Sequence, residues 1–208
     1  MSCCDENQML EIRFAKIDEP APMFKLPAYD PVWDKELEVN LEEQKGKWSV
    51  LFFYPADFTF VCPTELKDMA EAKAEFDEMK VDVFAVSTDT VFSHRAWVKS
   101  EKLMENFPYT MIADHSLEVS DYYNLLDNKT WLAGRGTFVI DPNWVIRTIE
   151  VASWPLWRNS EELIRKIKAL QFMEENPWLA CPARWKKWNK TLKPSIKIVW
   201  KVWEELEK

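Results

Sequence analysis

The chain has 208 residues, of which 47% are hydrophobic and 30% charged, and its net charge is -8. That length suits one sizeable domain, or one domain plus an arm, with enough chain to bury a core. No basic stripe stands out, so nucleic acid and anionic membrane are not expected partners. No apolar run approaches the ~18 residues of a membrane span, and Met1 to Glu6 lacks the basic and apolar regions of a signal peptide. A cytoplasmic protein is expected.

In chain order, residues 22–42 alternate apolar and polar around Pro22, Pro27 and Pro31, predicting a short hairpin. Trp48–Tyr54 is a continuous apolar run, a strand buried on both faces. Pro63–Lys80 has helical spacing through Leu66, Met69, Ala70 and Phe76. Val81–Ser87 predicts a second buried strand, Val91–Lys99 a helix, Tyr109–Ala113 a strand and Leu117–Asn124 a short helix. Thr137–Asp141 and Val145–Val151 predict two strands around a tight turn. Ser160–Glu174 is an amphipathic helix capped by Ser160 or Asn159. Strands alternating with helices, then a hairpin and a helix, imply α/β layers with a mixed sheet. Residues 176–195 are rich in Pro and Lys and predict an arm, with 196–208 as a terminal amphipathic helix.

Four cysteines (3, 4, 62 and 181) do not make a disulfide scaffold in a chain this long, and point instead to catalysis or metal. His94 and His115 are the only histidines, and apart from the adjacent Cys3 and Cys4 nothing has ligand spacing. No metal is expected, and a Cys-His hydrolase has little support.

Cys62 stands where the Trp48–Tyr54 strand gives way to the helix. Pro63 fits the first helical position, since its missing N–H has no intrahelical partner there. Cys62 is then expected at the N-cap and Glu65 at the third helical position. Unpaired N–H groups and the positive dipole end favour a thiolate, which is the nucleophile. The competing reading is a small buried hydrophobe beside Val61 and Phe60. Thr59, three residues before, can bring a hydroxyl near the sulfur, and a Cys-Pro opening puts that sulfur at a helix end rather than along its buried stripe. Both favour a reactive cysteine without saying what it reacts with.

Pro55-x-x-x-Thr59-x-x-Cys62 resembles the active-site signature of peroxiredoxins, and the string through Glu65 and Leu66 resembles their typical two-cysteine branch, that of the alkyl hydroperoxide reductase catalytic subunit. The similarity continues in Ser87-Thr88-Asp89-Thr90-x-x-Ser93-His94-x-Ala96-Trp97, in Arg135-Gly136-Thr137-Phe138-Val139-Ile140-Asp141-Pro142, in Ala180-Cys181-Pro182-Ala183-x-Trp185 and in Thr191 to Ser195. The resemblance implies a thioredoxin-like α/β fold with a mixed central sheet, an N-terminal hairpin and a C-terminal arm. The domain would span residues 11–175 and the arm 176–208.

It also implies the roles. Cys62 would be the peroxidatic nucleophile, with Thr59 hydrogen-bonding substrate and sulfur and Pro55 shielding the thiolate. Arg135 would hold the sulfur anionic and donate to the peroxide, against a competing reading as a surface loop residue between two glycines. Glu65 would orient Arg135 or a neighbouring arginine. Cys181 would resolve the oxidised cysteine of a partner subunit, implying a homodimer and often a ring of five dimers; the competing reading packs it against Trp185. Thioredoxin or a flavoprotein disulfide reductase would supply electrons. No glycine-rich dinucleotide fingerprint occurs, so no cofactor is expected. Hydrogen peroxide and small organic hydroperoxides would be the substrates. The alternative is a holdase chaperone or peroxide-signalling assembly. A thiol-disulfide oxidoreductase is disfavoured, as there is no Cys-x-x-Cys pair.

Two departures are visible. A glycine-rich insertion near residue 110 and a C-terminal Tyr-Phe pair are both missing, which implies relative resistance to overoxidation. Glycine is also scarce, three residues against roughly 7% in average proteins, while tryptophan reaches twelve. By resemblance Trp144, Trp157, Trp178, Trp188 and Trp200 stand where relatives have glycine, with Trp131 and Trp154 as further candidates. The expectation is a codon read here as tryptophan that means glycine in the source, against a competing reading as deliberate substitution or genuine drift. Cys3 and Cys4 match no family position.

Overall fold

The computed structural model describes residues 14–153 and 155–207; Cys3, Cys4 and Trp154 lie outside the described residues. The sheet has seven strands in the order β2-β1-β5-β4-β3-β6-β7. Its centre is β3 (Trp48–Phe53), β4 (Val81–Ser87) and β5 (Thr110–Ala113), mutually parallel. β1 (Lys25–Asp30) and β2 (Lys35–Asn40) form the expected hairpin, and β1 joins the sheet antiparallel to β5. On the other side β6 (Arg135–Ile140) pairs antiparallel with β3, and β7 (Ile146–Ala152) pairs antiparallel with β6. This is the mixed α/β sheet of a thioredoxin-like fold.

All six residues of β3 are buried, which explains why Ser49 is the one polar residue in it. Alternation sorts them between two cores. Trp48, Val50 and Phe52 face the core containing Leu66, Met69, Phe76 and Ile167. Leu51 and Phe53 face the other, with Tyr123 and Phe138, whose rings meet edge-on at 4.8 Å. Helices therefore cover the sheet on both sides, and the end of β3 is held from every direction.

The long helix expected over Pro63–Lys80 is two, α1 (Cys62–Glu71) and α2 (Lys73–Glu78). Met69 and Phe76 lie seven residues apart and both reach the same core, so the apolar periodicity runs through the break at Ala72 and could not show it. α3 (Val91–Ser100) follows β4, capped by the Thr90 hydroxyl, and α4 (Glu118–Tyr122) follows β5. α5 (Ser160–Glu175) is capped by the Asn159 side chain, which accepts from Glu161 N. The terminal helix expected over 196–208 shrinks to a 3-10 turn at Ile196–Ile198 and α6 (Val202–Glu207), neither burying a residue. Without an apolar face to dock, so short a helix gains little beyond its own marginal propensity.

Four tryptophans, Trp131, Trp144, Trp188 and Trp200, have φ between 59° and 76°. Trp157 and Trp178 do not. The left-handed region costs a residue with a Cβ roughly 1–2 kcal/mol and glycine almost nothing. Trp131 is more than half exposed, so little packing opposes its removal. Trp131→Gly is therefore expected to raise unfolding stability by about 1 kcal/mol, read as a higher denaturant midpoint at unchanged slope. A lower midpoint would show that indole contacts outweigh the backbone strain.

Candidate active site

Tyr54 follows β3 and its N–H still bonds Val86 O (2.9 Å), and Pro55 opens a loop that reaches α1. Pro55 and Thr59 are half-buried. A buried cluster fastens this loop. Tyr54 donates its hydroxyl to Asp57 Oδ1 (2.7 Å), and His94 Nδ1 of α3 lies 2.9 Å from Asp57 Oδ2. Asp89 accepts from Asp57 N and from the Ser87 hydroxyl, each at 2.8 Å. Burial and the nearby Asp57 charge push the Asp89 carboxyl up, more than these hydrogen bonds pull it down. His94 belongs to the resembling motif, but its pairing with Asp57 across 37 residues has no local signal.

Cys62 is the first residue of α1, not its cap. The cap is Val61, which makes no side-chain bond. That corrects the expected amide cradle. Thr64 N and Glu65 N both donate to Val61 O (2.9 and 3.4 Å), and Pro63 has no N–H. The helix dipole still favours negative charge at this end, but the directed donor is a side chain. Arg135 Nη1 donates to Cys62 Sγ at 3.5 Å. Cys62 is fully buried and Arg135 only 4% exposed. Water does not screen a pair so enclosed, so a guanidinium there stabilises charge on the sulfur far more than a surface arginine would. The surface-loop alternative for Arg135 is thus excluded: it is the first residue of β6.

Glu65 fixes that guanidinium. Its Oε2 accepts from Arg135 Nη1 and, at 3.2 Å, from Arg158 Nη2. Its Oε1 accepts from Arg158 N and Nε, both at 3.0 Å. Arg158 also donates to Gly136 O and the Thr137 hydroxyl, and its guanidinium lies 3.5 Å above the Phe52 ring. Burial pushes the Glu65 carboxyl up, but the hydrogen bonds and charge of Arg158, with Arg135 behind them, outweigh it and hold the group below its ordinary range. Arg158 is the neighbouring arginine that the resemblance implied without a number. The one local signal was the position of Arg158 immediately before the Asn159 cap of α5.

Thr59 points elsewhere. Its hydroxyl donates to Ala56 O (3.0 Å), and no hydrogen bond to Cys62 occurs among the described residues. Cys181 is half-buried and its thiol is pushed up by burial. It lies beside the isolated bridge between Ala180 and Leu192, near the buried Trp185, whose ring packs 4.8 Å from Phe172. Both thiols are free.

Against this geometry, residues 17–149 match the model of the AhpC/TSA family. The chain belongs to that family. Among proteins similar to this AhpC/TSA chain, alkyl hydroperoxide reductase C of Bacillus subtilis is 45% identical over 166 residues, 80% of this chain and 89% of the relative. That of Amphibacillus xylanus is 47% identical over 165 residues, 79% and 88% of the two chains. Among solved structures, the reduced 2-Cys peroxiredoxin of Plasmodium vivax superposes with a TM-score of 0.83 at 33% identity, covering 87% of this chain and 94% of that one. AhpC of Enterococcus faecalis superposes at 0.77 and 36% identity, covering 81% and 100%. The protein is a thiol-dependent peroxidase with the family's thioredoxin-like fold. Among the described residues no helix is long and apolar enough to cross a membrane.

Proposed function

We propose that Cys62 is the peroxidatic cysteine of an alkyl hydroperoxide reductase that works with Cys181 as the resolving thiol. The observation that carries this reading is the Arg135 guanidinium, 3.5 Å from the buried Cys62 sulfur and fixed from behind by Glu65. The Cys62 thiolate attacks the terminal oxygen of a hydroperoxide. An S–O bond forms, the O–O bond breaks, and the departing alkoxide takes a proton and leaves as alcohol. Arg135 meets the charge that develops on the peroxide oxygens. Thr59 turns its hydroxyl from Ala56 O toward the incoming peroxide, and Pro55 walls the sulfur from bulk water. Organic hydroperoxides are substrates, in keeping with the relatives' names, and hydrogen peroxide reacts by the same step with water as the leaving group.

The resulting sulfenic acid condenses with the Cys181 thiol, forming the disulfide and releasing water. A fully buried Cys62 cannot meet another thiol in place, so the first turn of α1 and residues 55–61 open for this step. Residues 176–208 act as the arm that carries Cys181. It reaches Cys62 of a partner subunit, so the working unit is a homodimer, five of which close a ring. The burial that holds the Cys181 thiol protonated is relieved when the arm moves. Thioredoxin or a flavoprotein disulfide reductase returns the two electrons, in the cytoplasm.

The test is non-reducing electrophoresis of wild type, Cys62→Ser and Cys181→Ser after one equivalent of peroxide. A covalent dimer in wild type only is the expected result. A dimer persisting in Cys181→Ser would move resolution to Cys3 or Cys4, and no dimer at all would overturn the two-thiol scheme.

A further inference from the structure

Charge along this chain is segregated in a way that its net value hides, and the expectation that no basic stripe stands out fails in the C-terminal residues. Residues 176–208 carry eight basic and three acidic side chains, a net charge of +5, which leaves -13 on the rest. From Arg184 to Lys201 there are seven cations, and no carboxylate occurs between Asn176 and Trp203. All seven are exposed, and none forms an ion pair among the described residues. Lys186 and Lys187 also line a groove of about 370 Å³ with Arg165 and Lys168 of α5. Lys168 is paired there with Glu75 (2.5 Å), Glu161 lines the groove as well, and Arg165 forms no ion pair among the described residues. The run starts three residues after Cys181. Positive charge is therefore concentrated around the thiol that must be regenerated, on a protein that otherwise repels anions.

We propose that this basic surface docks the protein dithiol that reduces the Cys62–Cys181 disulfide, and that the partner's face around its dithiol is acidic. The inference rests on the two-thiol reading above. One reductant thiolate attacks a sulfur of the disulfide and the second displaces it. The partner leaves as a disulfide, having delivered two electrons and two protons to Cys62 and Cys181. Clustered charge of one sign raises association rates for the opposite sign by about ten- to a thousandfold, an advantage that salt removes. A second copy of this chain also offers an acidic body, but arms held on such bodies would bring no preference among reductants.

The probes are two synthetic Cys-x-x-Cys peptides, one flanked by aspartates and one by lysines, with neutral dithiothreitol as control. Second-order rates of disulfide reduction are measured by stopped flow at low and high salt, for wild type and for K186E/K187E/K193E. The acidic peptide is expected to react at least about tenfold faster than the basic one at low salt. The preference should vanish at high salt and invert in the charge-reversed variant, while the dithiothreitol rate stays constant. Equal rates for the two peptides, or a preference that survives charge reversal, overturn the docking surface alone. If peroxide forms no covalent dimer, the two-thiol reading and this inference fall together.

A separate observation concerns the four left-handed tryptophans. For a bulky residue a positive φ is a genuine outlier, yet four of the eleven described tryptophans have one, against one of the three glycines. Trp188 and Trp200 are 90% and 93% exposed, so no packing repays the strain. We infer that the protein made in its source organism carries glycine at residues 131, 144, 188 and 200. Intact mass and peptide mapping of the natively made protein test this. Glycine at these four sites is expected, with Trp97 and Trp185, both buried at ordinary φ, still tryptophan. Tryptophan found at the four sites overturns it.

Discussion

Replacing Cys62 with serine is expected to abolish peroxide turnover while leaving the fold in place. The hydroxyl is close in size to the thiol, so the buried site loses little packing, and Arg135 keeps its ties to Glu65. What disappears is the nucleophile. A serine hydroxyl beside a guanidinium stays protonated at neutral pH, and no general base lies beside it: Glu65 is occupied by two arginines, and His94 is turned into Asp57. Loss of a covalent nucleophile costs about four to six orders of magnitude in rate. Initial rates of peroxide consumption with a dithiol donor measure it, with circular dichroism as the folding check. Turnover retained on Cys181 or the N-terminal pair would sink the assignment. A variant that is inactive yet still suppresses client aggregation would assign the holdase role to the scaffold rather than the thiol.

How much of this was legible in the sequence depends on how local each signal is. Trp48–Tyr54, with seven buried residues in a row, announced itself as a central strand, because burial on both faces leaves few polar positions. Cys62 and Pro63 marked the helix start to within a residue. The position of the cap itself turned on backbone angles at Val61, which no side chain there advertises. Arg135 was found only through resemblance. A charged residue between two glycines carries no mark of burial until the strand, Glu65 and the sulfur close around it. Arg158 and the Asp57–His94 pair had to wait for the fold, since each depends on contacts spanning from 37 to 93 residues.

Glu65 is the residue whose removal should damage both stability and rate. It is 3% exposed, and Arg135 and Arg158 beside it are buried as well. Glu65→Ala leaves two guanidinium charges in the interior with no counter-ion, and breaking a buried pair in this way costs about 3–5 kcal/mol. Arg135 would also lose the group that aims it at Cys62, so peroxide turnover should fall by about 100-fold or more, as when one oriented donor is removed. The pH dependence separates this from simple loss of packing. The folded-state carboxyl is held below its ordinary range, first against burial and then by Arg158 and Arg135. The stability it contributes is therefore fully present above the ordinary glutamate range and drains away as pH falls toward the lower folded value. Glu65→Gln keeps the shape and some of the hydrogen bonds but carries no titrating charge. It should be less stable than wild type at neutral pH, with the gap narrowing under acid as wild-type Glu65 itself becomes protonated. Denaturant unfolding of the two proteins between neutrality and mild acid reads that gap directly. A gap constant with pH would mean that Glu65 holds the arginines by shape alone, and the electrostatic account of how Arg135 is presented to the sulfur would fail with it.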